Sequence, residues 1–120
     1  MIREIKFKAQ KIHNNEAVYF DLKHFLENEE ATMPNAFQYV LKNIRQFTGM
    51  YDKTGKEVYE GDVIELNNCG LLVVCFYKGE FKLQKLAEYQ KKRNIYASIS
   101  YLEFGVLRGN IYENPELLTI

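Results

Sequence analysis

Short stretches of alternating apolar and polar residues recur along the chain, and this period of two is typical of β-strands. Residues 5–10 alternate in this way, which predicts a strand that buries Phe7 and Ala9 and exposes a basic, solvated face. The turn-prone residues 13–15 follow, and residues 18–22 then complete an N-terminal hairpin. The pattern therefore predicts a mainly β fold.

Glycine and aspartate mark two turns in the middle of the chain. Asp52 and Gly55 predict a tight hairpin turn, because an aspartate side chain accepts hydrogen bonds from nearby amides and glycine adopts a positive φ without steric cost. Gly61 and Asp62 predict a second bend, after which residues 63–66 resume extended structure.

The second half of the chain predicts a meander of strands. Residues 71–77 are apolar on both faces, which indicates a central strand, and residues 80–86 alternate again as its hairpin partner. Residues 95–101 also alternate and predict a further strand. A last strand contains residues 106–107, with Gly109 at a bulge.

Helical spacing occurs in one segment, where four apolar residues stand at positions i, i+3, i+4 and i+7 behind Pro34. These residues are Phe37, Val40, Leu41 and Ile44. They predict one short amphipathic helix that covers a face of a sheet. Asn114 and Pro115 form a helix-entry signal, a capping side chain followed by proline, and predict a short turn of helix near the C-terminus.

Three segments, in this order, resemble the signature blocks of the YopX family of phage and prophage proteins. They read MIREIKFKA at residues 1–9, QFTG followed by DKTGKEVYEGDVI within residues 46–64, and GNIYENPELL at residues 109–118. The blocks span the chain, which we expect to form one domain over residues 1–120. Where the family often has tryptophan, this chain has Gln10.

The resemblance implies a mostly β fold with a small, partly open barrel similar to the Src-homology type, encoded by a phage or prophage. It implies no reaction, and the family has no catalytic role to carry over. Its shared residues coincide with the turns predicted above, so we expect them to specify backbone shape. The structural turn residues are Asp52, Gly55, Gly61, Asp62, Gly109, Asn114 and Pro115.

Composition limits the classes of partner and compartment. The 120 residues carry 16 Lys and Arg against 16 Asp and Glu, so no global charge attracts nucleic acid or anionic lipid. Cys69 and Cys75 are too few for a disulfide scaffold, which favours a reducing cytoplasm. The first residues lack an apolar signal region, and the longest apolar run is far shorter than the ~18 residues of a spanning helix. Secretion and membrane insertion are therefore disfavoured.

No group of residues predicts a catalytic, cofactor-binding or metal site. Three carboxylates lie within six positions, at Glu57, Glu60 and Asp62, and such a group acts as acid and base or binds a divalent cation in some proteins. We favour a role for Glu60 and Asp62 in satisfying turn amides and a position for Glu57 on an exposed strand face. His13 and His24 have no second ligand at metal spacing.

Two basic clusters support an alternative function in nucleic-acid binding. Lys6 and Lys8 lie on the first strand, and residues 91–93 form a basic loop flanked by Tyr89 and Tyr96. Basic residues interleaved with aromatic rings suit single-stranded nucleic acid. The loop residues are Lys91, Lys92 and Arg93.

The leading hypothesis is a non-enzymatic accessory protein that acts through protein contacts in the cytoplasm of an infected or lysogenic host. A partly open barrel leaves strand edges and apolar area exposed, which favours a homo-oligomer or a phage or host protein partner. Four tyrosines exceed what one small core holds, and aromatic residues are enriched at interfaces. They are Tyr89, Tyr96, Tyr101 and Tyr112.

Overall fold

The computed structural model describes residues 5–12, 14–21 and 41–118, which form two antiparallel sheets. The nine strands are β1 (Lys6–Lys11), β2 (Ala17–Asp21), β3 (Leu41–Tyr51), β4 (Glu57–Tyr59), β5 (Asp62–Leu66), β6 (Gly70–Tyr77), β7 (Glu80–Lys85), β8 (Ala97–Ser98) and β9 (Val106–Asn110). One α-helix, α1 (Leu86–Gln90), and two 3₁₀ helices (Ile99–Phe104 and Pro115–Leu118) complete the described elements. The mainly β prediction is confirmed, and the sheets of the described residues do not close into a barrel.

The larger sheet has the order β8-β7-β6-β5-β9, and the smaller sheet has the order β2-β1-β3-β4. As predicted, the doubly apolar β6 is central in its sheet, paired with β5 on one side and β7 on the other. Its two faces cover two cores. The main core contains Val58, Ile64, Leu66, Leu72, Val74, Phe81, Leu83 and Leu102. The second contains Val63, Val73 and Leu86.

The helix predicted around residues 37–44 is wrong at its C-terminal half. Leu41 begins β3, and Ile44 is 51% exposed rather than buried on a helix face. Phe37 and Val40 lie outside the described residues. The strand forms because β3 pairs with β1, and this pairing satisfies backbone groups along a long segment.

A bulge interrupts the pairing of β1 with β3. Lys8 pairs with Arg45 and Gln10 with Lys42, so Asn43 and Ile44 together stand opposite the single residue Ala9. Asn43 has φ of 54°, a left-handed conformation that asparagine tolerates better than most residues. The bulge places the apolar Ile44 at an exposed position, so this residue does not contribute to a buried face.

The solvated face predicted for β1 is also wrong. Gln10 is 3% exposed, and Arg45, which pairs with Lys8 and therefore shares its face, is 1% exposed. Lys6 lies across the ring of Phe47, with its ammonium 5.0 Å from the ring centroid. The polar face of β1 is thus a packed face, whose lysine stems cover aromatic rings.

The strand predicted at residues 95–101 is confirmed only at Ala97 and Ser98. A 3₁₀ helix follows, and the Ser98 hydroxyl oxygen accepts a hydrogen bond from the Ser100 amide at its start. This local bond competes with continued strand pairing. The 3₁₀ helix turns Leu102 fully into the main core.

Asp52 joins the β3–β4 hairpin to β9. Its Oδ1 accepts hydrogen bonds from the amides of Thr54 (2.9 Å) and Lys56 (2.9 Å) and from the Thr54 hydroxyl (2.8 Å). Its Oδ2 accepts one from the Leu107 amide at 2.8 Å. Burial works to raise the pKa of Asp52, but these hydrogen bonds together hold that pKa below 3.8. The turn aspartate therefore also connects the two sheets.

Candidate functional site

A buried arginine lies where the two sheets meet. Arg45 comes from β3, and its side chain is fully removed from solvent. Its Nε donates to the carbonyl oxygen of Asn43 at 3.0 Å, and its Nη2 lies 3.4 Å from Glu113 Oε1 and 3.5 Å from Gln10 Oε1. The three partners come from three chain segments, namely β3 itself, β1 and the loop after β9. Burial of a charge is costly without such partners.

The ring of Tyr112 packs against this arginine. The guanidinium carbon lies 4.7 Å from the ring centroid, a cation–π contact. The ring also lies so close to Gly61 that a Cβ there would meet it at 2.6 Å. Gly61 has φ of +88°, its amide donates to Val74 and its carbonyl accepts from Ile111. The bend at Gly61 therefore holds the tyrosine against the arginine.

A polar loop after β9 positions Tyr112 and Glu113. The side-chain oxygen of Asn110, a buried residue, accepts hydrogen bonds from the amides of Tyr112 (3.0 Å) and Glu113 (2.7 Å). Asn114 Oδ1 in turn accepts from the Asn110 amide at 3.1 Å. These residues belong to the third signature block, and they place one aromatic ring and one carboxylate over Arg45.

Asp62 is a buried titratable group at this junction whose pKa is strongly raised. It is 3% exposed, and its Oδ2 accepts a hydrogen bond from the Tyr59 amide at 2.8 Å. Burial raises the pKa of Asp62 to about 7, although the Tyr59 hydrogen bond and the charges of Lys8 and Arg45 act in the opposite direction. Its carboxyl group therefore titrates near neutral pH.

A pocket of about 440 Å³ opens beside this cluster, and we call it the Arg45 pocket. Four of its lining residues also contact the Arg45 side chain, namely Gln10, Asn43, Tyr112 and Glu113. The others are Asn15, Lys42 and Pro115. Most of these side chains carry amides or charges, so the pocket suits a polar ligand.

A second pocket of about 310 Å³ is mainly apolar, and we call it the Tyr101 pocket. It lies among the ends of β5, β6 and β7, α1 and the segment before the first 3₁₀ helix. Ile95 and Tyr101 are 58% and 53% exposed at its rim. The lining residues are Leu66, Cys69, Leu72, Lys85, Glu88, Ile95, Tyr96, Ala97 and Tyr101.

Two of the three carboxylates singled out in the sequence, Glu57 and Asp62, have separate environments. Glu57 forms an ion pair with Lys6 and accepts a hydrogen bond from the Tyr59 hydroxyl, whereas Asp62 serves a turn amide. Among residues 5–12, 14–21 and 41–118, no three His, Cys, Asp or Glu side chains gather as metal ligands do. His13 and His24 lie outside this part of the chain.

The two cysteines are free thiols in different surroundings. Cys69 is exposed in a turn, whereas Cys75 is half-buried and packs against the second core. Burial, with a smaller contribution from Glu60, raises the pKa of Cys75 to about 11, so its thiol stays protonated. Within the described part of the chain, no helix is long and apolar enough to cross a membrane.

The predicted basic residues fall into two groups, one on β1 and one in the turn that follows α1. Lys6 pairs with Glu57, and Lys8 lies over the Tyr19 ring at 5.6 Å. Arg93 lies 3.9 Å from Glu88, beyond α1. Lys91 and Lys92 are exposed beside it. Several of these charges thus have partners within the chain.

Sequence reasoning missed the residues of the Arg45 pocket. Asn43 falls in the segment predicted as helix and Arg45 directly follows it, while Gln10 falls on the face predicted as solvated. Tyr112 and Glu113 stand 67 and 68 positions after Arg45 in the chain. One signal in the sequence pointed to Tyr112 and Glu113, since both lie in the third signature block. Only turn residues were predicted from that block, so its connection with Arg45 was missed.

The fold and this junction define a class of small, mainly β proteins in which two antiparallel sheets meet at a buried polar cluster. The family described as YopX protein matches residues 1–119 of the 120-residue chain. The chain therefore belongs to the YopX family. A search among curated proteins finds no match.

Proposed function

We propose that this protein is a non-enzymatic phage or prophage accessory protein that acts through protein contacts in the host cytoplasm. The observation that supports this proposal is the Tyr101 pocket, whose rim exposes Ile95 and Tyr101 around an apolar interior. Exposed apolar surface around a concave site is typical of protein interfaces, and aromatic residues dominate their energetics. Self-association is the contact we favour.

The route to self-association differs from the one that the sequence suggested. Tyr89 packs on the second core, Tyr96 stacks on Tyr77 with ring centroids 4.5 Å apart, and Tyr112 packs on Arg45. Three of the four surplus tyrosines are therefore engaged within the chain. Tyr101 remains available for a second copy or another protein.

Light scattering coupled to size-exclusion chromatography measures the mass of the protein in solution and tests self-association. The wild type is compared with a variant of the pocket rim and with a control variant. Ile95→Ser with Tyr101→Ser removes the rim, whereas Tyr19→Ser removes an aromatic residue with 55% exposure from the other sheet. We expect the wild type and Tyr19→Ser to have a discrete multiple of 14.2 kDa and the double variant to approach the monomer.

If the wild type is a monomer, the same three proteins serve as baits in infected or lysogenic cells. A protein enriched by the wild type and by Tyr19→Ser, but lost with the double variant, supports a partner at the Tyr101 pocket. Equal recovery with all three baits, together with a monomeric mass, contradicts the proposal.

Nucleic-acid binding is the alternative, and its residues are Lys6, Lys8, Lys91, Lys92 and Arg93. A zero net charge and the ion pairs of Lys6 and Arg93 weigh against it. Fluorescence anisotropy of a labelled single-stranded oligonucleotide tests it. The alternative is supported if the logarithm of the binding constant falls linearly with the logarithm of the salt concentration. The expected slope is about −0.7 per phosphate neutralised. The absence of binding at low ionic strength removes it.

A further inference from the structure

The guanidinium of Arg45 makes fewer hydrogen bonds than its five N–H donors allow. Only the bond from Nε to Asn43 has ordinary length, since both Nη2 contacts lie at 3.4–3.5 Å, the long limit for such bonds. Within the described residues, Nη1 has no hydrogen-bond partner. A fully buried cation with an unpaired donor is rare and needs an acceptor from elsewhere.

The Arg45 pocket is the place from which such an acceptor would come. Its lining residues Gln10, Asn43 and Glu113 are the same residues that hold the guanidinium. Lys42 adds an exposed ammonium group to the lining. Of the lining residues, Lys42 is cationic and Glu113 is anionic. The Arg45 guanidinium lies behind this lining, where the buried Asp62 carboxylate also interacts with it.

Glu113 is the member of the ion pair that is able to move. Its side chain is 37% exposed, whereas that of Arg45 is 0% exposed. Its carboxylate reaches the guanidinium with one oxygen at 3.4 Å, which is longer than a well-formed ion pair. The same Glu113 oxygen accepts a hydrogen bond from Asn110 Nδ2 at 3.3 Å, so departure of the carboxylate gives up two long contacts. Water solvates the freed carboxylate and offsets much of this loss.

We propose that the Arg45 pocket binds a small oxyanion, a carboxylate or a phosphate group, which replaces the Glu113 carboxylate on the guanidinium. Both groups present two or more oxygens at the spacing of the two Nη donors, so they make the paired hydrogen bonds that a single Glu113 oxygen does not make. The Lys42 ammonium supplies a second contact at the mouth of the pocket. This site is independent of the protein contacts proposed for the Tyr101 pocket.

The test is a titration followed by nuclear magnetic resonance, with sodium acetate and sodium phosphate as separate probes at constant ionic strength. The reporters are the Nε–H group of Arg45 and the backbone amide of Asn43. Three variants accompany the wild type. Glu113→Gln removes the competing charge, Lys42→Gln removes the cation of the pocket, and Lys56→Gln removes an exposed cation in the distant β3–β4 turn.

We expect Glu113→Gln to bind the probe about two- to fivefold more tightly than the wild type, the range for removal of one partly exposed charge. Lys42→Gln weakens binding by a similar factor, and Lys56→Gln leaves it unchanged. Preference for acetate assigns the site to carboxylates, and preference for phosphate assigns it to phosphates.

Two results overturn the proposal. One is the absence of shifts at the Arg45 and Asn43 reporters in both the wild type and Glu113→Gln. The other is an equal loss of affinity in Lys42→Gln and Lys56→Gln, which identifies general attraction of anions to surface lysines. Neither result depends on the oligomeric state, so failure here is distinguishable from failure of the proposed protein contacts.

Discussion

Asp52 accepts hydrogen bonds at both carboxylate oxygens, from its own turn and from β9. In Asp52→Asn, the side-chain oxygen of the new asparagine is able to accept the hydrogen bonds of the turn. Its NH₂ group then faces the Leu107 N–H, and two donors cannot form a hydrogen bond with each other. We expect a loss of about 2–3 kcal/mol in the free energy of unfolding, measured in urea. Glu103→Gln, at an exposed carboxylate, is the control and should change stability by less than about 0.5 kcal/mol. Equal stability of the two variants contradicts this account.

Gly55 and Gly61 separate the cost of backbone conformation from the cost of a close contact. Both have φ near +90°, but a Cβ at Gly55 has no atom within 4 Å, whereas a Cβ at Gly61 meets the Tyr112 ring. Gly55→Ala should therefore cost about 1 kcal/mol, and Gly61→Ala should cost more, by about 1–3 kcal/mol. Denaturant midpoints measure the stability of both variants. An equal loss of stability in the two would show that the Tyr112 ring moves away from the new Cβ without cost, which contradicts this account.

Asp62 makes stability depend on pH near neutrality. Its pKa of about 7 in the folded state exceeds 3.8, so its contribution to stability is fully present below pH 4 and is lost as the pH rises through 7. Asp62→Asn stays neutral and keeps an acceptor for the Tyr59 amide. As the pH rises from 4 to 7, we expect the free energy of unfolding of the variant to increase relative to that of the wild type, by on the order of 2–4 kcal/mol. Parallel stability curves over this range would contradict the assignment.

At the scale of elements, the edge strand β9 has side chains bound to its amides. The Leu107 amide donates to Asp52, and the Asn110 amide donates to Asn114. The other edge strand of this sheet, β8, is only two residues long. Short edges and occupied amides both hinder pairing with another chain. Self-association through the larger sheet's edges is therefore disfavoured, which directs attention to side-chain surfaces such as the Tyr101 pocket.

Hydrogen exchange tests the protection of β9. In Asn114→Ala the Asn110 amide loses its acceptor, so we expect its exchange to become at least about tenfold faster, consistent with the loss of one hydrogen bond of ~1.4 kcal/mol or more. The Leu107 amide, held by Asp52, is the internal control and should keep its rate. Unchanged exchange at Asn110 would contradict the capping role.

Elements defined by local chemistry were predictable from the sequence, whereas those defined by distant partners were not. The Asp52–Gly55 turn and the doubly apolar β6 follow from a few adjacent residues. The start of β3 does not, because the strand and its bulge opposite Ala9 depend on pairing with β1, which is distant in the sequence. The first 3₁₀ helix was missed because Ser98 starts it within an alternating pattern.

At the scale of the whole molecule, the same distinction explains why the Arg45 pocket escaped prediction. Its cation, its ring and its carboxylate come from β3 and from the loop after β9, and alternation along one strand carries no information about such a junction. A lysine-rich strand reads as a solvated face, yet β1 turns that face towards Arg45 and Phe47. Only the assembled sheets show that these partly buried lysines pack against aromatic rings of the same chain.

The divided binding of Asp52 has a consequence for the order of folding. Its three Oδ1 partners lie within four residues, while its Oδ2 partner lies 55 positions away. Local closure costs little chain entropy and long closure costs more, so the hairpin forms early and the link to β9 forms late. We expect Thr54→Ala to slow refolding and Asp52→Asn mainly to speed unfolding, as stopped-flow kinetics would show. The Asp52 carboxylate would then contribute at two stages. Its turn bonds would stabilise the folding nucleus, and its bond to the Leu107 amide would slow unfolding of the native state.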